Sequence, residues 1–223
     1  MPRIQDTKGR TDENSGYVRL LGNSRLGLLI SKVHATVIRS GNELERLLEN
    51  ATPSTLKTEL PQAISQAKTG RSKGTKVVFS PRIRKTSGSH GITGDILAFN
   101  FSRRTLSVIE VKDGDTFDTK KSSGELQSMQ AFAVQLSRQT RYEPAIYFCS
   151  FNQESKESIV AGAKGRFSPQ QVMTGRELCA ILKINYDQFR AARRQEQALN
   201  LEYFIRELFV IPEIAERLRR LFK

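Results

Sequence analysis

Apolar residues in the first quarter of the chain recur at three- and four-residue spacing. Leu26, Leu29, Ile30, Val33, Val37, Leu44, Leu47 and Leu48 predict an amphipathic helix from Ser24, its N-cap, to about Glu49. Gly41 interrupts that pattern at a cost of up to about 1 kcal/mol, which marks a kink, a close approach or two helices end to end. Thr52-Pro53 stops the helix. Thr55 to Ala67 allows another through Leu56, Leu60, Ile64 and Ala67, with Pro61 awkward in its interior. The period then shortens to two. Val77-Val78-Phe79 reads as a short strand, and Ile96–Asn100 and Leu106–Lys112 read as two strands joined by a turn at Ser102–Thr105. Ser122 and Glu125 fit a capping box that opens a helix to about Arg138, with Leu126, Met129, Phe132, Ala133 and Leu136 on one face. Ala145–Phe151 is a continuous apolar run, the pattern of a strand buried on both faces. Strand, helix and buried strand make a right-handed crossover with parallel pairing.

Thr174 and Glu177 fit a second capping box, on a helix to Leu182, and a further helix runs from Asn185 to about Leu199. Leu201, Phe204, Ile205, Leu208 and Phe209 follow as an apolar stripe. Pro212 opens a last helix through Ile214, Leu218 and Leu221, and this tail is either core packing or a dimer seam. The whole predicts an α/β fold, a mixed β-sheet flanked by α-helices with a helical C-terminal region. Residues 1–22 are expected to form a mobile arm, 23–170 the core, and 171–223 the helical region, packed on the core as one domain.

Charge narrows the function. Thirty-six Lys and Arg stand against 23 Asp and Glu, a net charge of +13, which is the footprint of a polyanion partner, nucleic acid first. No apolar run approaches the roughly 20 residues needed to span a bilayer, and no signal-peptide segment opens the chain, so a cytoplasmic protein without membrane contact is expected. Two cysteines, Cys149 and Cys179, and two histidines have no zinc-ligand spacing. Lys73, in the glycine-bearing loop from Ala67 to Lys76, and Arg84 are placed to follow phosphates. Arg190, Arg193, Arg194 and Gln197 share a face of the second C-terminal helix, either as groove and phosphate contacts of a helix-turn-helix or as a solvated basic face. Arg3, Lys8 and Arg10 could touch DNA backbone from the N-terminal arm or belong to a frayed terminus.

The chemistry concentrates between Gly94 and Lys112. Side chains alternate along a strand, so Leu106, Val108, Glu110 and Lys112 share a face, and the hairpin brings Asp95 near Glu110 and Lys112. Two carboxylates and an ammonium at a sheet end suit a hard cation. Mg²⁺ takes one or two protein carboxylates and keeps several waters, with Mn²⁺ able to substitute. Asp95 and Glu110 would supply the carboxylates and the Val111 backbone carbonyl a further oxygen. Lys112 would hold the attacking water beside a scissile phosphate.

Asp95 followed by Glu110-Val111-Lys112 resembles the D…E-x-K signature of the PD-(D/E)XK nuclease superfamily, to which most type II restriction endonucleases belong. The resemblance covers this hairpin alone, and Gly94 stands where many members carry proline. It implies a restriction-endonuclease-like core with Asp95, Glu110 and Lys112 as the catalytic set. The stretch Gly41–Glu45 resembles an N-terminal helix of several restriction endonucleases whose glutamate reaches the metal, and Glu43 is chosen over Glu45 for that role, the alternative being that both are ordinary solvated helix acids. Gln127 and Gln130 lie where some relatives carry a helix glutamine, but the tyrosine that completes their motif is Val134 here.

The function expected is a Mg²⁺-dependent type II restriction enzyme, a homodimer that hydrolyses phosphodiester bonds of double-stranded DNA. A repair or junction-resolving nuclease of the same fold is the alternative within the class. From outside it, the alternative is a noncatalytic DNA-binding protein that uses the C-terminal helix pair.

Overall fold

A computed structural model of the 223-residue chain describes residues 3–10, 15–83, 92–114 and 119–221. Arg84 lies outside the described residues. In chain order come α1 (Gly16–Leu21), α2 (Ser24–Ala51), α3 (Leu60–Thr69), β1 (Thr75–Phe79), β2 (Arg82–Ile83), β3 (Ile92–Thr93), β4 (Ile96–Asn100) and β5 (Thr105–Lys112). Then follow α4 (Thr119–Thr140), β6 (Glu143–Ser150), α5 (Lys156–Gly162), β7 (Val172–Thr174), α6 (Gly175–Leu182), α7 (Tyr186–Val210) and α8 (Pro212–Leu221). The residues fall into two compact units, one of residues 45–186 and one of residues 1–44 with 187–223.

The unit of residues 45–186 is built on a five-stranded sheet in the order β1-β4-β5-β6-β7. β1, β4 and β5 pair antiparallel, while β5, β6 and β7 pair parallel. This is the mixed α/β sheet expected, with α4 as the connection a parallel pair requires. Leu106 and Val108 are fully buried on one face of β5, and Ile109 is fully buried on the other, so helices must cover both faces. On the Leu106 face, α3 supplies Leu60, Ala63 and Ala67, and α4 supplies Met129, Phe132, Ala133 and Leu136.

Three boundaries differ from the sequence pattern for physical reasons. The helix expected from Thr55 starts at Leu60, because Pro61 fits the first turn, where its missing N–H costs nothing. Residues 56–58 are instead extended beside β1, with Thr58 N–H donating to Val77 O and Val77 N–H to Leu56 O. Helix α4 begins at Thr119, which puts Ser122 and Glu125 inside the helix and not at its cap. In β6 only Phe148–Ser150 are buried; the sheet leaves its first half partly open. The capping box of α6 is present, with Glu177 N–H donating to Thr174 Oγ1 and Thr174 N–H to Glu177 Oε2.

In the second unit α2 runs without a break through Gly41, where an added Cβ would meet nothing within 4 Å. Helix α7 likewise joins the expected helix and the apolar stripe into one element. Phe204 and Leu208 are half-buried, whereas Leu201, Ile205 and Phe209 are exposed at 60%, 44% and 59%. Residues 3–10 are held in this unit. Arg3 pairs with Glu196 through two bonds of 2.9 and 3.1 Å, Ile4 N–H donates to Asn200 Oδ1, and Ile4 and Thr7 are buried. Among the described residues no helix is long and apolar enough to cross a membrane.

Candidate active site at the end of the central strands

Antiparallel register sets Ile96 opposite Ile109, so Asp95, one residue before β4, falls beside the end of β5. Its carboxylate Oδ2 accepts the Val111 N–H at 2.7 Å, and its carbonyl accepts the Ser80 N–H at 2.7 Å. Asp95 is thus anchored to both neighbouring strands. Within a strand the N–H and C=O of one residue project to the same side, so the Val111 carbonyl lies on the Asp95 side of β5. The preceding Gly94 donates its N–H to Pro81 O at 3.3 Å, a bond that proline, lacking the N–H, could not make.

Glu110 and Lys112 stand on one face of β5 and meet. Lys112 Nζ lies 2.6 Å from Glu110 Oε1, with both side chains largely covered. Strand β6 then fixes the chain just beyond. Phe151 N–H donates to Lys112 O at 2.9 Å, and Asn152 Nδ2 donates to both Asp113 O and Asp113 Oδ1 at 2.6 and 2.9 Å. Buried Ser150 donates to Gly114 O at 3.1 Å. Sequence reasoning missed Asn152 and Ser150, whose only signal was their position at the end of the buried strand.

Half-buried Glu45, on α2, belongs with this group. Burial holds its carboxyl above the ordinary glutamate range, the negative charge of Glu110 adds to the rise, and Lys112 opposes it. An acid whose ionisation is resisted by burial and by a second carboxylate is one that a nearby cation would stabilise as the anion. Glu43, chosen over Glu45 on the resemblance, lies two residues earlier on the same helix. A helix turns about 100° per residue, so Glu43 points roughly 200° away from Glu45.

Asp95, just before β4, and Glu110, on β5, with the Val111 carbonyl beside Asp95, offer oxygen donors of the kind Mg²⁺ takes. Among the described residues no cluster of three or more acidic, histidine or cysteine side chains could hold a metal.

The other residues singled out do not gather here. Lys73 is exposed beside the start of β1, at the sheet end away from Asp95, a strand length of roughly 17 Å. Gln127 and Gln130 are exposed on α4. Of the basic set on α7, Arg194 and Gln197 are exposed and Arg190 is half-buried, but Arg193 is only 8% exposed.

The chain is 40% identical over 233 residues to the type II restriction enzyme HhaII of Haemophilus parahaemolyticus, with 100% of both chains covered. No family model matches, and no solved structure matches.

Proposed function

The chain belongs to the type II restriction enzymes, and from that premise we propose that it is a Mg²⁺-dependent endodeoxyribonuclease of PD-(D/E)XK type. It hydrolyses phosphodiester bonds of double-stranded DNA at a specific site, in the cytoplasm where the duplex is. The observation that carries the chemistry is the placement of Asp95, Glu110 and Lys112 at one end of β4 and β5, tied by the Asp95–Val111 and Lys112–Glu110 bonds.

Asp95 and Glu110, with the Val111 carbonyl, would hold Mg²⁺, and Glu45 replaces Glu43 as the α2 acid directed at the site. The bound ion would supply positive charge at the scissile phosphate and favour ionisation of the attacking water. Lys112 donates hydrogen bonds to that water and to the phosphate oxygen that gains charge, while Glu110 keeps the ammonium in place. The strand-end bonds from Ser150, Phe151 and Asn152 restrict the backbone that carries Lys112, so orientation is settled before substrate arrives.

Digestion of one plasmid tests this directly. Mg²⁺ or Mn²⁺ should yield discrete fragments, whereas Ca²⁺, with its looser coordination, should support binding with little cutting. Full cleavage in excess chelator would contradict the metal, and a random smear would contradict the specificity.

Cutting both strands of a symmetric site suits a two-fold protein, so the enzyme is taken as a homodimer. The exposed row Leu201, Ile205 and Phe209 on α7 supports this, since apolar side chains at helical spacing on a solvent face suit a partner. Sedimentation should give twice the 25.2 kDa chain mass. A species of single mass at micromolar concentration would argue against it.

A further inference from the structure

A second basic site lies in the unit of residues 1–44 and 187–223. A cavity of about 420 Å³ opens between the N-terminal segment and α1 and α2, lined by Lys8, Arg10, Tyr17, Ser31, His34 and Ile38 among others. None of its described lining residues is acidic. That volume is many times the ~30 Å³ share of one water molecule, room for an anion with its hydration.

We propose that this cavity binds one backbone phosphate of duplex DNA, with Lys8 and Arg10 as its cationic walls. The proposal rests on the nuclease reading for its ligand, but uses none of the residues assigned to catalysis. The N-terminal cations divide by what they touch. Arg3 is spent on Glu196. Lys8 and Arg10 are both exposed and carry their charge at the cavity.

The backbone there is set. Arg10 N–H donates to the buried Ser31 hydroxyl at 2.7 Å, and Gly9 sits so close to α2 that a Cβ would lie 3.0 Å from Leu28 O. Lys8 and Arg10 therefore project from a fixed segment, which lowers the ordering cost of closing on a ligand. In the same lining the Tyr17 hydroxyl hydrogen-bonds His34 Nδ1. When tyrosine donates in that pair, the histidine proton resides on Nε2, and the neutral ring still offers an N–H donor. An ammonium or guanidinium is the partner a phosphate oxygen prefers, and neutral donors complete its shell.

Salt dependence is the measurement that separates this cavity from general positive charge. Affinity for a short mixed-sequence duplex is measured in chelator, where nothing is cut, over a range of salt. Each phosphate-bound cation removed should flatten the slope of log affinity against log salt by about 1, so Lys8→Ala with Arg10→Ala should flatten it by about 2. Arg217→Ala with Arg219→Ala removes the same charge from exposed positions of α8 and should leave the slope unchanged. The backbone bond from residue 10 to Ser31 survives the alanine change, so folding should be retained. An unchanged slope in the first pair, or equal flattening in the second, overturns the cavity. A wild-type affinity that ignores salt overturns the nucleic-acid reading as well. As a second measurement, phosphate ion at matched ionic strength should displace duplex from the wild-type protein more than chloride does. That excess should vanish in the Lys8/Arg10 variant; its persistence there would place the anion elsewhere.

Discussion

Asp95→Ala and Glu110→Ala should each lower the cleavage rate by at least about 10³-fold while duplex binding survives. Each change removes an anionic oxygen that would help hold the cation, and loss of one group that stabilises charge in a transition state costs roughly 10²–10³-fold. Both carboxylates are half-buried at a strand end, outside the fully buried core that α3 and α4 cover, so the fold should tolerate their removal. Lys112→Ala should be nearly as inactive yet keep metal-dependent DNA binding, because the proposed role of Lys112 is toward water and phosphate and not the ion. Glu45→Gln should cost about tenfold and Glu43→Gln nothing, which tests the assignment on α2. Single-turnover cleavage and a binding isotherm measure both quantities. If any of Asp95, Glu110 or Lys112 can be replaced without slowing a folded, DNA-bound enzyme, the chemistry belongs to other residues.

Gly175→Ala should destabilise the protein by at least about 3 kcal/mol, although the position supplies no proposed ligand. Gly175 is the first residue of α6, and a Cβ there would lie 2.1 Å from Phe151 O and 2.9 Å from Phe151 C. Those are backbone atoms, which cannot swing aside as a side chain would. Phe151 also donates its N–H to Lys112 O, so a displaced Phe151 should disturb the strand end at the site. Gly41→Ala is the contrasting substitution. It lies in the interior of α2 with open space around it, and alanine there should stabilise by roughly 0.5–1 kcal/mol through helix propensity. Urea midpoints compare the two, and coincident unfolding of the Gly175 variant and the wild type would refute the close-packing account.

Much of this protein was legible because its signals are local. The alternation along Leu106–Lys112 set which side chains share a face, and the hairpin brought Asp95 to the end of β5; both depend only on strand period and a short turn. The apolar run before Asn152 and the crossover rule placed β6 beside β5 in parallel. The Thr174 and Glu177 box stopped and started the chain where a four-residue motif said it would.

What the sequence by itself determined, then, were the elements whose partners lie close in the chain: the hairpin with Asp95, Glu110 and Lys112, the crossover, the cap. Tertiary structure decided the rest. Glu43 and Glu45 flank core Leu44 on either side by about 100°, so helical period cannot choose between them; that Glu110 and Lys112 act on the Glu45 carboxyl depends on which element lies near it. Strand β7 is three residues long and has no period to read, and it exists because β6 offers it an edge. Arg3 and Glu196 are 193 positions apart, and no local pattern could separate a cation neutralised by that carboxylate from Lys8 and Arg10 at the open cavity. Periodicity records which way a residue faces along its own element, whereas charge pairing and burial depend on which other element arrives to meet it.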